Sequence, residues 1–409
     1  MIKEASTFAL VVSLLLVVLD AGCSPASSQP PIKAARGLAI LNNSTEAEFP
    51  SKLNFNLSAE SDVNITDIRL HYTVDRESYA QITSEAYIDF VSDTTVDVQW
   101  SWDMRKTGGL PLESSTEYWW TVKDINGRKL TTTPVRVWFS DNRYPWQSLT
   151  DGKVTIHWYE GKQSFAKEIM LATHQALARL ADDAGAYLKK SVRIYVYANA
   201  QDLQDAMIFP QEWTGGVAFT RHGIIAIGIS PHNLSWGKRA VAHELTHLVI
   251  HQMTFNPYTR LPTWLDEGLA MYTEGTLETR FAHLLEEAIA EDNLFSVRSL
   301  ASPFSAYADE SRLSYAQSYS LVEFLISSYG QGKMLGLLNT FSDGSSYDGA
   351  LEKVYGFNTN DLDTLWQNYV PKRRQEAEVT TTAISPALIG TLAGLTTELI
   401  LGLGLTTQD

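Results

Sequence analysis

The stretch Val241-Ala-His-Glu-Leu-Thr-His-Leu-Val-Ile250 constrains this chain more than any other. It sets His243, Glu244 and His247 in an H-E-x-x-H pattern. Positions four apart lie about 40° apart around a helix, so both imidazoles leave one face. Two neutral ring nitrogens at that spacing reach one Zn²⁺ at roughly 2.0–2.1 Å, and a third protein ligand and a water complete a tetrahedron. Glu244 projects beside them, where a carboxylate can take a proton from water activated by the ion. Val241, Leu245, Leu248 and Val249 form an i, i+4, i+7, i+8 stripe facing away from the imidazoles. One face of the predicted helix packs and the other coordinates.

A second signature follows at Leu261-Pro-Thr-Trp-Leu-Asp-Glu-Gly-Leu-Ala270. Pro262 suits the first turn of a second helix and Gly275 its end. The interval from His247 to Glu267 leaves room for the first helix to finish, a loop, and an antiparallel return. Together the two motifs resemble the gluzincin metallopeptidases, and within them the peptidase MA-like group. The resemblance implies that Glu267 is the third ligand of a single Zn²⁺ and that Glu244 is the general base. The metzincin pattern is excluded, because its Gly and third His would fall at Ile250 and Met253. The likeness is sharpest over His243 to Glu274 and extends to Tyr315-Ala-Gln-Ser-Tyr-Ser-Leu-Val-Glu-Phe-Leu325.

Helix geometry separates the neighbouring carboxylates. Asp266 and Glu267 lie about 100° apart around the axis, so at most one points at the ion. Glu267 shares its side with Trp264 and Met271, a face expected to be buried, where an unpaired carboxylate is costly. Asp266 has Thr263 and Thr273 beside it, which predicts a solvent face. Glu274 is two turns on, roughly 10 Å along the axis. Gly268 is expected to let the two metal-binding helices approach closely.

The chain has 409 residues, 44% hydrophobic and 19% charged, which suits several folded domains rather than a disordered chain. A net charge of −15 argues against nucleic-acid binding, which needs a basic face. The single cysteine, Cys23, rules out an internal disulfide and a thiolate metal site. Residues 1–22 read as a signal peptide, with Lys3 ahead of an apolar run from Phe8 to Leu19. Leu19-Asp-Ala-Gly-Cys23 resembles a bacterial lipoprotein box, although Asp20 departs from its usual apolar residue. The resemblance implies a lipidated Cys23, membrane attachment through that lipid, and an exported protein on the outer face of the cell envelope.

Residues 23–36 are a linker by composition. Residues 37–144 carry alternating runs at Lys52–Leu57, Ile68–Tyr72, Val96–Trp100, Tyr118–Val122 and Val135–Phe139, with a turn at Asp124–Gly127. Their spacing predicts an all-β sandwich of immunoglobulin or fibronectin-III-like kind, its aromatics in core and cross-strand pairs. Residues 145–371 predict strands at Val154–Trp158 and Val192–Val196 and a helix from Ser164 to Leu188. A short helix near Asp202–Met207 and a hairpin from Gly215 to Gly228 follow. Beyond the two motif helices, further helices are expected at Glu278–Ala290, Tyr315–Ser328 and Asp361–Tyr369. Strands first and helices afterwards make an α+β domain, and the resemblance implies the thermolysin-like gluzincin layout. In the tail, 372–409, Ile384 to Leu405 is long enough to span a bilayer. Glu398 within it costs roughly 2.5–3.5 kcal/mol at mid-bilayer, which favours a poorly ordered or interfacial tail.

The expected chemistry is hydrolysis of a peptide or protein substrate. Tyr319 is the candidate donor to the developing oxyanion, with Tyr315 and His232 behind it; two tyrosines four apart on a helix also suit a core. His251 extends the imidazole face by one turn as a supporting residue. No Gly-Ala-Met-Glu-Asn segment precedes the zinc helix, so an endopeptidase is expected over an aminopeptidase. A zinc-binding scaffold with an inactive peptidase domain, and a zinc hydrolase of cell-wall amide bonds, are the alternatives.

Overall fold

Leu53, Phe55, Leu57 and Ala59 alternate into the core of one long strand, the period expected of a half-buried sheet. The computed structural model describes residues 32–33, 37–210, 214–305 and 307–370. The signal segment, Cys23, most of the linker and the tail from 372 lie outside them. Two compact units are distinguished. One takes Met1–Arg260 with Thr273–Gly275 and Ser342–Gly344, and the other takes Leu261–Tyr272, Thr276–Phe341 and Ser345–Asp409.

The first unit begins with β1 (Ile32–Lys33), β2 (Leu38–Glu48), β3 (Lys52–Ser61), β4 (Ile65–Val74), β5 (Ser84–Tyr87) and β6 (Thr95–Asp103). β7 (Ser114–Asp124), β8 (Lys129–Thr131) and β9 (Val135–Phe139) follow. They form two antiparallel sheets, ordered β1-β2-β3-β6 and β5-β4-β7-β8, with β9 also paired to β7. Both sheets contribute to one core, in which Phe55, Ile68, Trp102, Tyr118 and Trp120 are buried. The predicted turn at Asp124–Gly127 leads first into β8: the Asp124 carboxylate accepts from the Asn126 and Arg128 amides, and Gly127 takes φ 78°. β2 is absent from the alternation signal because Asn42-Asn43-Ser44 reads as a turn. In the fold a register shift follows Ile40, and buried Asn43 accepts from the Tyr118 hydroxyl and the Trp120 indole at 3.0 and 3.2 Å.

A third sheet follows in the same unit, from β10 (Gln147–Asp151), β11 (Val154–Trp158), β12 (Val192–Tyr197), β13 (Gly216–Phe219) and β14 (Ile224–Gly228). Its order is β10-β11-β12-β14-β13. The inner pairs β11–β12 and β12–β14 are parallel, and β13 pairs antiparallel with β14 at the edge. β14 is buried along its whole length, which explains its unbroken apolar run. α1 (Gln163–Ala184) makes the crossover between β11 and β12 and packs on α3 (Leu234–Thr254), with α2 (Ala200–Gln204) between them in sequence. α1 stops four residues short of the expected Leu188, because Gly185 turns left-handed at φ 65° and caps it. Tyr195, Tyr197 and Ile224 of this sheet share an apolar cluster with Leu112 and Phe49 from the preceding strands' loops. The Tyr197 hydroxyl donates to buried Asp141, just past β9, at 2.9 Å.

The other unit is helical. α4 (Thr263–Glu274) starts on Pro262 and stops at Gly275, φ 113°. α5 (Thr279–Ala290), α6 (Val297–Leu300), α7 (Ala308–Tyr329), α8 (Gln331–Ser342), α9 (Tyr347–Tyr355) and a last helix over 359–370 follow. Buried Leu321, Val322 and Leu325 of α7 anchor its core, and the indole of Trp366 donates to Ser320 at 3.1 Å. α7 begins two turns earlier than expected, over the polar run Ala308–Leu313. Gly268 serves a different approach from the one expected: a Cβ there would sit 2.4 Å from the Ser318 carbonyl oxygen, so it admits α7. Among the described residues no helix is long and apolar enough to cross a membrane.

Candidate metal centre

α3 divides as its sequence demands. Val241, Leu245, Leu248 and Val249 are wholly buried on its back. On its front the rings of His243 and His247 stand 5.0 Å apart at 76°, and His251 follows 6.3 Å beyond His247.

Glu274, at the end of α4, fixes the first imidazole. Its Oε1 lies 2.8 Å from His243 Nδ1. A carboxylate can only accept, so Nδ1 carries the proton and Nε2 keeps its lone pair for a metal. Arg239, one turn before His243, donates to the other oxygen through Nε and Nη2 at 3.2 and 3.1 Å. Sequence reasoning missed both roles. The signal was there in the periodicity, since Glu274 stands seven residues after Glu267 and Arg239 four before His243.

Glu244 lies against the edge strand of the sheet. A Cβ on Gly216 would come within 2.9 Å of its Oε1, so a side chain there would push this carboxylate from its present place beside β13. Gly215 does the same for the Trp236 ring, at 3.0 Å.

His243 and His247 on α3 and Glu267 on α4 can each offer one ligand atom to a metal ion. His251 and Asp266 offer a further imidazole and carboxylate on the same two helices. Asp266 therefore departs from expectation: it is half-buried, and Thr273, assigned to a solvent face, is only 3% exposed. Two imidazoles and one carboxylate are the donor set of a catalytic zinc site, and the His243 tautomer suits it, so these residues fit the ion. Of the candidate oxyanion donors, Tyr319 is buried with its ring 5.7 Å from Tyr272. Tyr315 meets Phe304 edge-on, and His232 is exposed before α3.

A helix presenting two imidazoles with a carboxylate between them carries donors suited to a metal ion. Residues 172–372, just under half of the chain, match the family model described as the Peptidase MA superfamily. No curated protein matches. Among solved structures, the M1 zinc metallopeptidase from Deinococcus radiodurans is 12% identical, covering 81% of this chain and 94% of that one at TM-score 0.29. Its E323A mutant is 11% identical, covering 78% and 90% at TM-score 0.31. Catalytically inactive OgpA from Akkermansia muciniphila, in complex with an O-glycopeptide (glycodrosocin), is 7% identical, covering 26% of this chain and 30% of that one at TM-score 0.20. This chain thus spans under a third of the Akkermansia protein. TM-scores this low leave the fold to be read from the chain itself. The family match and the donor set support a metallopeptidase.

Proposed function

We propose that the chain is an exported zinc endopeptidase in which His243, His247 and Glu267 hold one ion and Glu244 is the general base. The observation behind this reading is the Glu244 carboxylate, set beside the Gly216 backbone on the helix that carries both imidazoles. When bound, zinc lowers the pKa of water toward neutrality and polarises a carbonyl. Glu244 takes the proton of the attacking water and delivers it to the leaving amine. Glu274 keeps His243 in the ligating tautomer. β13 is the outer strand of its sheet, and its main chain suits an extended peptide laid alongside, with scissile bond near Gly216. Tyr319 is the proposed oxyanion donor. Cys23 carries the lipid that anchors the protein to the outer face of the envelope, and the N-terminal sheets are an immunoglobulin or fibronectin-III-like sandwich.

The test is Glu244→Gln in the full chain. It should fold and bind zinc as wild type does, while cleavage of unfolded protein falls roughly 10²–10⁴-fold. Wild-type cleavage by that variant would place the chemistry elsewhere.

A further inference from the structure

The turn between β13 and β14, at the other end of the four-residue strand from Gly216, borders a cleft of about 300 Å³. One wall comes from the N-terminal strands and their loops, the other from the third sheet and its loops and, through Gln252, from α3. Arg76, Arg193 and Arg221 line it together with His222, and the charges of all three guanidiniums act on the His222 ring.

Among the described residues no ion pair joins these three cations to a carboxylate, although the Arg193 charge acts on Glu113. Arg193 donates to the Glu113 carbonyl at 3.3 Å and lies over the Trp138 ring. Arg221 lies over Phe255. Three carboxyls, Asp75, Glu77 and Glu113, line the cleft as well, and the charge of Asp75 also acts on His222. Glu77 is held by Lys190 at 2.5 Å, and Asp75 accepts from Ser115 at 3.2 Å. Burial pushes the Glu113 carboxyl up in pKa, toward its neutral form. His222 Nε2 is buried with no hydrogen-bond partner in the protein. Burial, with Arg76 next, pulls His222 down to about 4, so its ring is neutral near pH 7.

With Lys190, the three guanidiniums outnumber the cleft's carboxyls, Asp75, Glu77 and Glu113, and they leave a buried, unpartnered ring nitrogen in surroundings of net positive charge. Guanidiniums present planar forks of N–H donors that match the oxygens of phosphate, sulfate and carboxylate. We infer that this cleft is a binding site for an oxyanion, gripped by Arg76, Arg193 and Arg221 with His222 closing the floor. The ligand is a small anion or the anionic group of a larger molecule, and its site is distinct from the metal centre.

Calorimetric titration of the purified full chain with inorganic phosphate, sulfate and acetate, each alone, tests this. At least one should bind saturably, and Arg76→Ala with Arg221→Ala should weaken it about tenfold or more. Both arginines are exposed, so the fold should survive, and zinc content should stay at the wild-type level. Phosphate or sulfate binding without acetate marks a tetrahedral group, and acetate binding marks a carboxylate. Binding of none of the three overturns the site. So does binding that the double variant leaves undiminished, since the anion would then sit elsewhere, the metal included.

Discussion

Glu274 offers a direct test of how the metal centre is held. Replacing it with alanine removes the acceptor 2.8 Å from His243 Nδ1 and strips Arg239 of its carboxylate. Hydrogen bonds to charged groups are worth about 1.5–3 kcal/mol, and Glu274 is mostly buried, so little solvent screening discounts that range. Loss of such a supporting partner typically costs a metal site about 10–100-fold in affinity, or about 1.4–2.8 kcal/mol, the same range reached independently. Glu274→Gln keeps a neutral oxygen for Nδ1–H but loses the charge that holds Arg239, so it should fall between alanine and wild type. Competition with a chromophoric chelator gives the zinc affinities, and a thermal melt verifies that each variant is folded. Wild-type affinity in a folded Glu274→Ala protein would refute the idea that this carboxylate sets the His243 tautomer.

The two carboxylate groupings are separable by metal analysis: Glu267→Gln should lose most bound zinc and Asp266→Asn should keep it. The reverse ranking would make His247, His251 and Asp266 the ligands. Mass spectrometry of the native protein should find the mature chain starting at an acylated Cys23; an unmodified start elsewhere removes the lipid anchor. His157 of β11, stacked on Tyr195 at 4.3 Å, is pulled from 6.5 to about 4, first by burial and then by Arg193. The unfolded chain therefore binds more protons there, so stability is full above about pH 6.5 and falls as pH drops toward 4. His157→Phe should flatten that slope in denaturant melts across the window, and an unchanged slope would contradict it.

What could be read in advance follows the range of the forces involved. The α3 face, the alternation of β3 and the apolar run of β14 are local patterns. Each survives into the fold because burial selects on the same periodicity. β2 was hidden because Asn43, a turn-former by propensity, is satisfied by Tyr118 and Trp120 some seventy-five residues away. α8 was obscured by Gly332 and Gly336, helix-weakening on their own; Gly336 faces Val354 of α9, a contact no local rule reports. At the metal centre the spacing of the imidazoles was legible from one helix. Arg239 stands on that same helix, one turn before His243, but the carboxylate it shares with His243 arrives only through the end of a later helix. Asp266 was misplaced for the same reason, since whether Thr273 meets solvent is decided by what packs on it.

The cluster joining Leu112 and Phe49 to Tyr195, Tyr197 and Ile224, sealed by the Tyr197–Asp141 bond, bears on how this protein can be cut or rearranged. A gene fragment beginning at residue 145 would strip Leu112 and Phe49 from the aromatic side of the third sheet, and would discard Asp141, the acceptor for the Tyr197 hydroxyl. Such a fragment should be sticky and short-lived rather than a trimmed enzyme. The N-terminal strands are therefore no detachable accessory that recombination could trade for another module: they are inherited with the helix that bears the two imidazoles, or that helix's sheet is lost.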